Sequence, residues 1–333
     1  MDQHYIGTRA KISVVIPTRD RQKDLAELLP TLLNQSYPAN EIIIVNDSVS
    51  SSIKEIVNLF ATSFKSIGST LISVQGSGEG LTAAKNLGVK IAQGDALLFL
   101  DDDVLLDRNV LMLLDIFLTN HPEALGVQPA IRETATYNGI ENAISKALML
   151  SYSMKNTLRV RRSGTNIFPR PFTREISTQR LAGVACYRNN VFKRLSFDMN
   201  LKRWGFMEDL DFSYRLYKKK PNSLYAIPDA IIIHKNSIEA RLQPEQKIFM
   251  MIIYWFYIFF KNLFNASLLN LIAFLWALTG NFISAIGAVI IKRKSTQHLV
   301  YLIKSYLIAF RNLRNILMRD LDFLNKNLVR ALS

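Results

Sequence analysis

The chain is poor in cysteine throughout and poor in acidic residues near its C-terminus. Cys186 is the only cysteine among 333 residues, which excludes an intramolecular disulfide and suits a reducing compartment. Residues 1–5 are polar and lack the apolar core of a secretory signal, so we expect no export of the first domain. Residues 246–333 hold 2 acidic and 11 basic residues, whereas residues 1–245 hold 25 and 30. The C-terminal part therefore has a different partner or solvent.

The same C-terminal part contains two long stretches without charge. Residues 248–260 are wholly apolar, and residues 268–291 are 24 residues without a formal charge, enough to span a bilayer. A basic triplet, Lys292-Arg293-Lys294, follows as a positive stop. We predict a membrane hairpin over residues 246–292, with helices at about 247–264 and 268–291. A hairpin buried in a soluble core is the less favoured alternative.

Residues 293–333 combine an apolar helical face with basic residues. Leu299, Leu302 and Tyr306 recur at helical spacing, and Lys304 and several arginines provide charge. This pattern predicts a basic amphipathic helix at the membrane surface, with an oligomerising or domain-packing helix left as an alternative. With the positive-inside rule, the first domain is expected on the cytoplasmic face of the cell membrane. Lipid headgroups are simpler counter-ions than nucleic acid, which we do not expect as a partner.

Residues 1–245 read as one α/β domain. Short apolar runs at 12–16, 42–45, 71–74 and 96–100 alternate with helical patterns, which predicts a mostly parallel sheet covered by helices. In such sheets, ligands bind outside the carboxyl ends of the strands.

The middle of the chain is less regular. We predict a helix over residues 143–158, a basic loop over 159–174 and a strand over 180–187. A helix over 208–219 and an extended segment over 223–234 follow.

Three adjacent acids, Asp101, Asp102 and Asp103, directly follow the apolar run at 96–100. Such carboxylates repel one another unless a cation or a donor network neutralises them. Oxygen ligands suit Mg²⁺ or Mn²⁺, so the end of this strand is a candidate metal site. A solvated turn whose acids cap the next helix is the alternative.

Five motifs occur in an order that carries a family resemblance. They are Pro17-Thr18-Arg19-Asp20-Arg21, Asn46-Asp47-Ser48, the segment from Gly80 to Gly88 with Lys85-Asn86, Asp101-Asp102-Asp103, and Glu208-Asp209-Leu210-Asp211. Over residues 11–235 the chain resembles family 2 glycosyltransferases of the GT-A fold, the Rossmann-like fold of nucleotide-diphospho-sugar transferases. The resemblance implies an inverting hexosyltransferase that uses Mn²⁺ or Mg²⁺.

The resemblance also implies residue roles on the donor side. Asp103 is the expected metal ligand, helped by Asp101, which also contacts ribose, and by His234. Of the three acids, Asp102 is the one expected chiefly to support the structure. The other expected donor contacts are Pro17, Thr18, Arg19, Asp47, Lys85, Asn86 and Asp102 itself.

On the acceptor side, the resemblance assigns Asp209 as the general base, which removes the acceptor proton. Glu208 is expected to orient the acceptor or the base, and Gly183 and Trp204 are expected to line the acceptor side. Without the resemblance, acids in the first turn of a helix simply complement its dipole.

Two departures from the family pattern matter. Asn46 stands where many relatives have Asp, and no Gln-x-x-Arg-Trp motif follows Asp209, so transfer of one sugar is favoured over polymerisation. The expected donor is a UDP-, GDP- or dTDP-sugar.

We expect the acceptor to be a lipid-linked glycan or polyprenyl phosphate, used in cell-surface glycan or glycoprotein assembly. Membrane lipid is an expected partner, and whether the chain forms a homo-oligomer is left open. A non-catalytic, membrane-bound scaffold that binds nucleotide sugar is the alternative function. A dinucleotide oxidoreductase is disfavoured, because Gly76-x-Gly78-x-Gly80 lacks the GxGxxG spacing and does not follow the first strand.

Overall fold

The computed structural model describes residues 9–48, 52–132, 139–237 and 242–324. The chain forms two compact units. The first comprises Met1–Thr134, Phe172–Gly205 and Leu216–Ala240, and the second comprises Ala135–Pro171, Phe206–Arg215 and Arg241–Ser333. The polar N-terminus at residues 1–5 and the end of the predicted amphipathic helix, from residue 325, lie outside the described residues.

The strands, in chain order, are β1 (Ile12–Thr18), β2 (Glu41–Asn46), β3 (Thr70–Gln75), β4 (Ala96–Phe99), β5 (Val104–Leu106), β6 (Gly126–Arg132), β7 (Tyr152–Met154), β8 (Arg159–Val160), β9 (Asn166–Pro169), β10 (Ile176–Ser177), β11 (Ala185–Arg188) and β12 (Leu224–His234). Nine of them form the sheet of the first unit, in the order β10-β12-β6-β11-β4-β1-β2-β3, with β5 paired to β12. Strand β1 runs parallel to β2 and β4, β2 parallel to β3, and β6 parallel to β12. The predicted, mostly parallel α/β sheet is confirmed.

The helices, in chain order, are α1 (Gln22–Leu33), α2 (Ser52–Ser66), α3 (Leu81–Ile91), α4 (Val110–Asn120), α5 (Gly139–Ala147), α6 (Glu208–Lys219), α7 (Pro244–Ile258), α8 (Leu268–Ile290), α9 (Thr296–Arg311) and α10 (Leu313–Leu317). A 3₁₀ turn spans Asn189–Lys193, and a π-helical turn over Phe259–Leu263 continues α7.

Helix and strand periodicity account for the core of the first unit. All six residues of β2 are buried, as expected for a parallel strand that is covered on both faces. In α1, Leu25, Leu28, Leu29 and Leu32 recur at helical spacing and are buried. The buried apolar faces of these strands and helices fix the register of the central strands. The carboxyl ends of those strands carry the polar motifs.

The prediction for residues 143–158 is wrong. Helix α5 ends at Ala147, and Met149 has a left-handed φ of 56°, which stops the helix. The chain then forms a three-stranded sheet, β7-β9-β8, in the second unit, so the predicted loop at 159–174 holds two strands. Pairing of β7 with β9 joins residues 15 apart in sequence, such as Tyr152 and Ile167, and local periodicity does not report such pairing.

The first of the two predicted membrane helices corresponds to α7 and its π-helical turn. Its apolar side chains are largely buried within the second unit, and the ring of Phe259 stacks on that of Phe274 with centroids 4.0 Å apart. Helix α8 matches the second predicted segment. Among the described residues, it is the one helix long and apolar enough to cross a membrane. The membrane hairpin stays a prediction.

Packing around β4 gives a test of the fold. We expect Leu98→Ala to lower the free energy of unfolding by about 2–5 kcal/mol, because Leu98 is fully buried and its truncation leaves a cavity. Leu59→Ala is the control, since Leu59 on α2 is 76% exposed and its loss is expected to cost less than about 0.5 kcal/mol. Urea denaturation measures both. Equal losses would contradict the assigned burial.

Candidate active site

The three acids lie where β4 ends and the chain turns into β5. Leu100 is buried, and β5 pairs antiparallel with the end of β12, which brings His234 opposite Val104. Two strand ends that are far apart in sequence therefore meet at one point. The sheet places an imidazole beside the carboxylates.

Asp101, Asp103 and His234 form a cluster with the spacing of a metal site. His234 Nε2 lies 3.5 Å from Asp101 Oδ2 and 3.6 Å from Asp103 Oδ1. One ligand atom from each residue lies within 4.8 Å of the other two, and the described residues contain no second such group. Two carboxylates and an imidazole match the donor set expected for a divalent ion such as Mn²⁺. The residues present therefore fit the ion that the sequence predicted.

Asp102 has different partners from its two neighbours. Its carboxylate accepts hydrogen bonds from Thr18 Oγ1 at 2.8 Å and Arg21 Nη1 at 2.9 Å. Burial raises the pKa of Asp102 to about 6, although the Arg21 charge and both hydrogen bonds favour its ionised form. Asp102 thus joins β1 to the acidic turn, and its role at the donor stays a prediction.

Asp101 and Asp103 stay close together because cations and donors surround them. Burial disfavours the charged form of Asp101, but the hydrogen bond from His234 and the charges of Lys85, His234 and Arg21 together lower its pKa. Arg21 Nη1 also lies 3.3 Å from Asp103 Oδ2, which accepts a hydrogen bond from the Ser237 backbone N–H at 3.0 Å. The site is therefore positioned by β1, by the acidic turn and by the segment after β12.

Asp47 lies at the end of β2, inside a loop of glycines. Its two carboxylate oxygens each accept a backbone N–H, from Gly78 and Gly80, at 3.1 Å. A Cβ at Gly76 would lie 1.9 Å from Asp47 Oδ1, and a Cβ at Gly80, whose φ is 109°, would lie 2.2 Å from the Arg203 carbonyl oxygen. The three glycines that resemble a dinucleotide motif therefore serve to wrap an aspartate.

The other predicted donor residues are held by internal contacts. Lys85 is almost fully buried, and its Nζ lies 3.3 Å from the Gly183 carbonyl oxygen and over the rings of Phe99 and Phe197. Asn86 exchanges two hydrogen bonds of 2.9 Å with the Phe197 backbone. The structure thus shows how these two side chains are fixed, and their donor contacts stay predictions.

Two further predicted donor residues belong to β1 and the turn after it. Pro17 pairs with Val45 in the sheet. Arg19 is half-exposed and lies 3.6 Å from the Asp20 carboxylate. Donor contacts by these residues also stay predictions.

The acids at the start of α6 differ in burial and in partners. Asp211 is fully buried, and its carboxylate contacts Arg215 Nη2 and Lys261 Nζ, each at 2.7 Å. Asp209 is half-buried, and its Oδ1 accepts the Leu210 backbone N–H at 2.7 Å. Asp211 is thereby identified as a structural anchor of the second unit, whereas catalytic use of Asp209 stays a prediction.

The segment before α6 carries the remaining predicted residues. Glu208 is buried and Trp204 is half-buried. Met207 and Arg203 both have left-handed φ values, 64° and 58°, which are uncommon for such side chains and recur at functional turns. The orienting role of Glu208 and the acceptor-side roles of Trp204 and Gly183 stay predictions.

Sequence reasoning missed three features of the site. The motif at 17–21 gives Arg21 no role of its own, the glycines at 76, 78 and 80 only disfavour a dinucleotide site, and no pattern points to the Ser237 backbone. Only the glycines left a signal, since three glycines at alternate positions after a strand indicate close backbone approach. The contacts of Arg21 and Ser237 join residues more than 80 positions apart.

Comparisons with known proteins agree with this geometry. A family model described as glycosyl transferase family 2 matches residues 13–198. Poly(ribitol-phosphate) beta-glucosyltransferase from Bacillus spizizenii is 35% identical over 95 residues, which are 28% of this chain and 15% of that protein. This chain therefore matches only a small part of that relative's length.

Two solved structures share the fold. Staphylococcus aureus TarS 1–349, in complex with UDP-GlcNAc, aligns with a TM-score of 0.55 and 17% identity over 89% of this chain and 79% of that chain. The mannosyltransferase PcManGT from Pyrobaculum calidifontis, in complex with GDP-Man and Mn²⁺, aligns with a TM-score of 0.56 and 17% identity over 90% and 87%. At these identities the likeness shows the fold, which confirms the GT-A-like architecture.

The metal cluster gives a direct prediction. We expect Asp103→Asn to weaken Mn²⁺ binding at least about tenfold, because it removes one charged ligand from a set of three. Asp229→Asn is the matched control, since Asp229 is exposed on the same unit. Electron paramagnetic resonance of bound and free Mn²⁺ measures both variants. Equal affinity in the Asp103 variant and the control would rule out this cluster as the metal site.

The pKa of Asp102 predicts a pH dependence of stability. The folded protein retains a proton on this carboxyl up to about pH 6, whereas the unfolded chain loses it near 3.8. Ionisation of Asp102 therefore lowers the free energy of unfolding as the pH rises between these values. Asp102→Asn removes this contribution, so the stability of the native chain relative to the variant is expected to fall across that window. Urea denaturation in metal-free buffers measures it, and a pH-independent difference would contradict the assigned burial.

Proposed function

This chain belongs to glycosyl transferase family 2, a family of transferases, and on that premise we propose that it is a membrane-associated, inverting enzyme that moves one sugar from a nucleoside-diphosphate sugar to a lipid-linked glycan or polyprenyl phosphate. The observation that carries the proposal is the convergence of Asp101, Asp103 and His234 at the end of the central strands. This is the edge where parallel sheets bind their ligands.

The proposed donor is a UDP-, GDP- or dTDP-sugar. TarS was crystallised with UDP-GlcNAc and PcManGT with GDP-Man and Mn²⁺, which supports a nucleotide-sugar donor for a chain of the same fold. Asp103, Asp101 and His234 would hold Mn²⁺ or Mg²⁺, and the imidazole favours Mn²⁺. When bound, such an ion neutralises the negative charge that develops on the leaving diphosphate.

The chain's own residues would bind and orient the donor. Asp47 is assigned to the nucleotide base, and its carboxylate is already positioned by two backbone N–H groups. Pro17, Thr18 and Arg19 would border the base and ribose, with Asp101 and Asp102 beside them. Lys85 would stabilise the phosphates through its positive charge. The rigid helix that carries Lys85 and Asn86 would hold both side chains in position.

The acceptor hydroxyl must lose a proton as it attacks the anomeric carbon. We assign this proton to the carboxylate of Asp209, with Glu208 orienting it, and Gly183 and Trp204 on the acceptor side. Asp209 lies in the first turn of α6, at the positive end of the helix dipole.

Membrane association rests on the C-terminal segment. Residues 268–290 supply the exposed apolar surface and residues 293–333 the basic charge, and both follow the proposed catalytic domain at 1–245 in the sequence. The proposed site of action is the cytoplasmic face of the cell membrane. There the enzyme would add one sugar during cell-surface glycan or glycoprotein assembly.

Substitution of the proposed base tests the function. We expect Asp209→Asn to lower kcat by about 10²–10⁴-fold while binding of UDP with Mn²⁺ is unchanged, since the base acts only on the acceptor. Sugar transfer to membrane lipid extracts is measured with UDP-, GDP- and dTDP-sugars, and Asp229→Asn serves as the control. A native chain that binds nucleotide sugar but transfers none would instead support the non-catalytic scaffold.

A further inference from the structure

Helix α8 is buried along one side and exposes an apolar stripe along the other. Ala273, Ala277 and Gly280 on the buried side are small, which permits close packing. Leu269, Trp276 and six further positions of α8 are exposed, and the six recur at helical spacing and are apolar except for one threonine: Leu268, Ile272, Leu275, Thr279, Ile283 and Ile290. Such spacing places them on one face of the helix. An apolar face of this length marks an interaction surface.

The middle of α8 is attached to the end of α5. Trp276 Nε1 donates a hydrogen bond of 2.9 Å to the carbonyl oxygen of Ala147, the last residue of α5. One turn later, a Cβ on Gly280 would lie 2.6 Å from Leu148 Cβ, so the close approach of α8 to the segment after α5 requires glycine. The middle of α8 therefore lies beside a helix terminus, whose carbonyl groups need polar partners.

The same part of α8 is attached to α9 as well. Asn281 Nδ2 donates to the Tyr306 hydroxyl at 2.8 Å, and this hydroxyl lies 3.3 Å from the Leu278 carbonyl oxygen. Lys304, two residues before Tyr306, is exposed. The charged residue Lys304 of α9 thus lies close to the level of the midpoint of α8.

These contacts are incompatible with α8 crossing a bilayer. Its 23 residues measure about 35 Å, close to the thickness of the hydrocarbon core, so a spanning α8 would hold its middle near the centre of the membrane. The end of α5 and the charge of Lys304 would be carried there with it. Arg161, which donates to the carbonyl oxygens of Lys146 and Leu150 at the end of α5, would be carried there too, and charged side chains are costly at that depth.

A second apolar stripe and a basic surface indicate what covers the exposed face. Val300, Ile303, Leu307 and Phe310 are exposed at helical spacing on α9. Between residues 268 and 318 the chain carries six basic residues and no acidic one. Apolar stripes flanked by cationic side chains match the interface of a bilayer that contains anionic lipids.

We propose that α8 and α9 lie in the plane of an anionic membrane surface, with their exposed stripes in one leaflet and with both ends of α8 on the side of the catalytic unit. This inference rests on the proposed membrane association and specifies its geometry. It replaces the two spanning helices expected from the sequence by a one-sided attachment. A lipid-linked acceptor would then reach the enzyme from the leaflet on which it lies.

Cysteine labelling of the full chain tests the geometry. The native Cys186 is fully buried, and burial raises the pKa of its thiol to about 12, so it contributes little background. We use Ala266→Cys before α8, Lys294→Cys after it, and Asp229→Cys as the marker for the catalytic unit, since all three positions are exposed. A membrane-impermeant maleimide is applied to sealed vesicles, with and without detergent.

The one-sided arrangement predicts that all three cysteines react from the same side. Labelling of positions 266 and 294 from opposite sides would show that α8 crosses the membrane and would overturn the inference. Recovery of all the protein in the soluble fraction would overturn both the inference and the membrane association. Sugar transfer assayed on the same preparations separates these outcomes from failure of the proposed enzymatic function.

A second experiment tests the exposed stripe itself. We expect the triple variant Leu268→Ser, Ile272→Ser, Ile283→Ser to bind at least about tenfold more weakly to vesicles of equal parts phosphatidylglycerol and phosphatidylcholine, because three apolar side chains leave the interface. Leu59→Ser, on an exposed face of the first unit, is the control. Retained UDP binding shows that the variants are folded. Unchanged vesicle binding by the triple variant would overturn the assignment of the stripe.

Discussion

Repulsion among three neighbouring carboxylates is the constraint on which the site depends. Asp102 and Asp103 are almost fully buried, where uncompensated negative charge is unfavourable. Arg21 lies within 3.3 Å of both, and His234 lies within 3.6 Å of Asp101 and Asp103. The residue that precedes α1 supplies the guanidinium, and the end of β12 supplies the imidazole. The sheet therefore has to hold its strands in register for the acids to stay together.

This electrostatic arrangement divides the acids by role. Asp102 is engaged by Thr18 and Arg21, so its carboxyl group joins β1 to the acidic turn. Asp101 and Asp103 direct carboxylate oxygens toward His234, which leaves a set of ligands suited to a divalent ion. A buried carboxylate is used differently in the second unit, where Asp211 joins α6 to the π-helical turn through Lys261. Similar residues thus serve as ligands or as anchors according to their neighbours.

Local periodicity predicted much of the fold. The runs at β1 to β4 and the helix over residues 208–219 are present because each buries a regular apolar face. The helix predicted over residues 143–158 is wrong. The left-handed conformation of Met149 and the pairing of β7 with β9 do not follow from the spacing of apolar residues. The partners of Asp102 are equally absent from what local spacing predicts, since Arg21 lies 81 positions away. For α7, apolar composition alone does not separate a membrane helix from one buried against its neighbours.

The proposed function requires that Asp101, Asp103 and His234 bind a divalent ion together with the diphosphate of a sugar donor. Anomalous diffraction from crystals grown with UDP and Mn²⁺ measures this binding. We expect a manganese peak among these three side chains, in contact with the diphosphate. A nucleotide bound elsewhere, or bound at this strand end with no manganese peak beside Asp103, would contradict it.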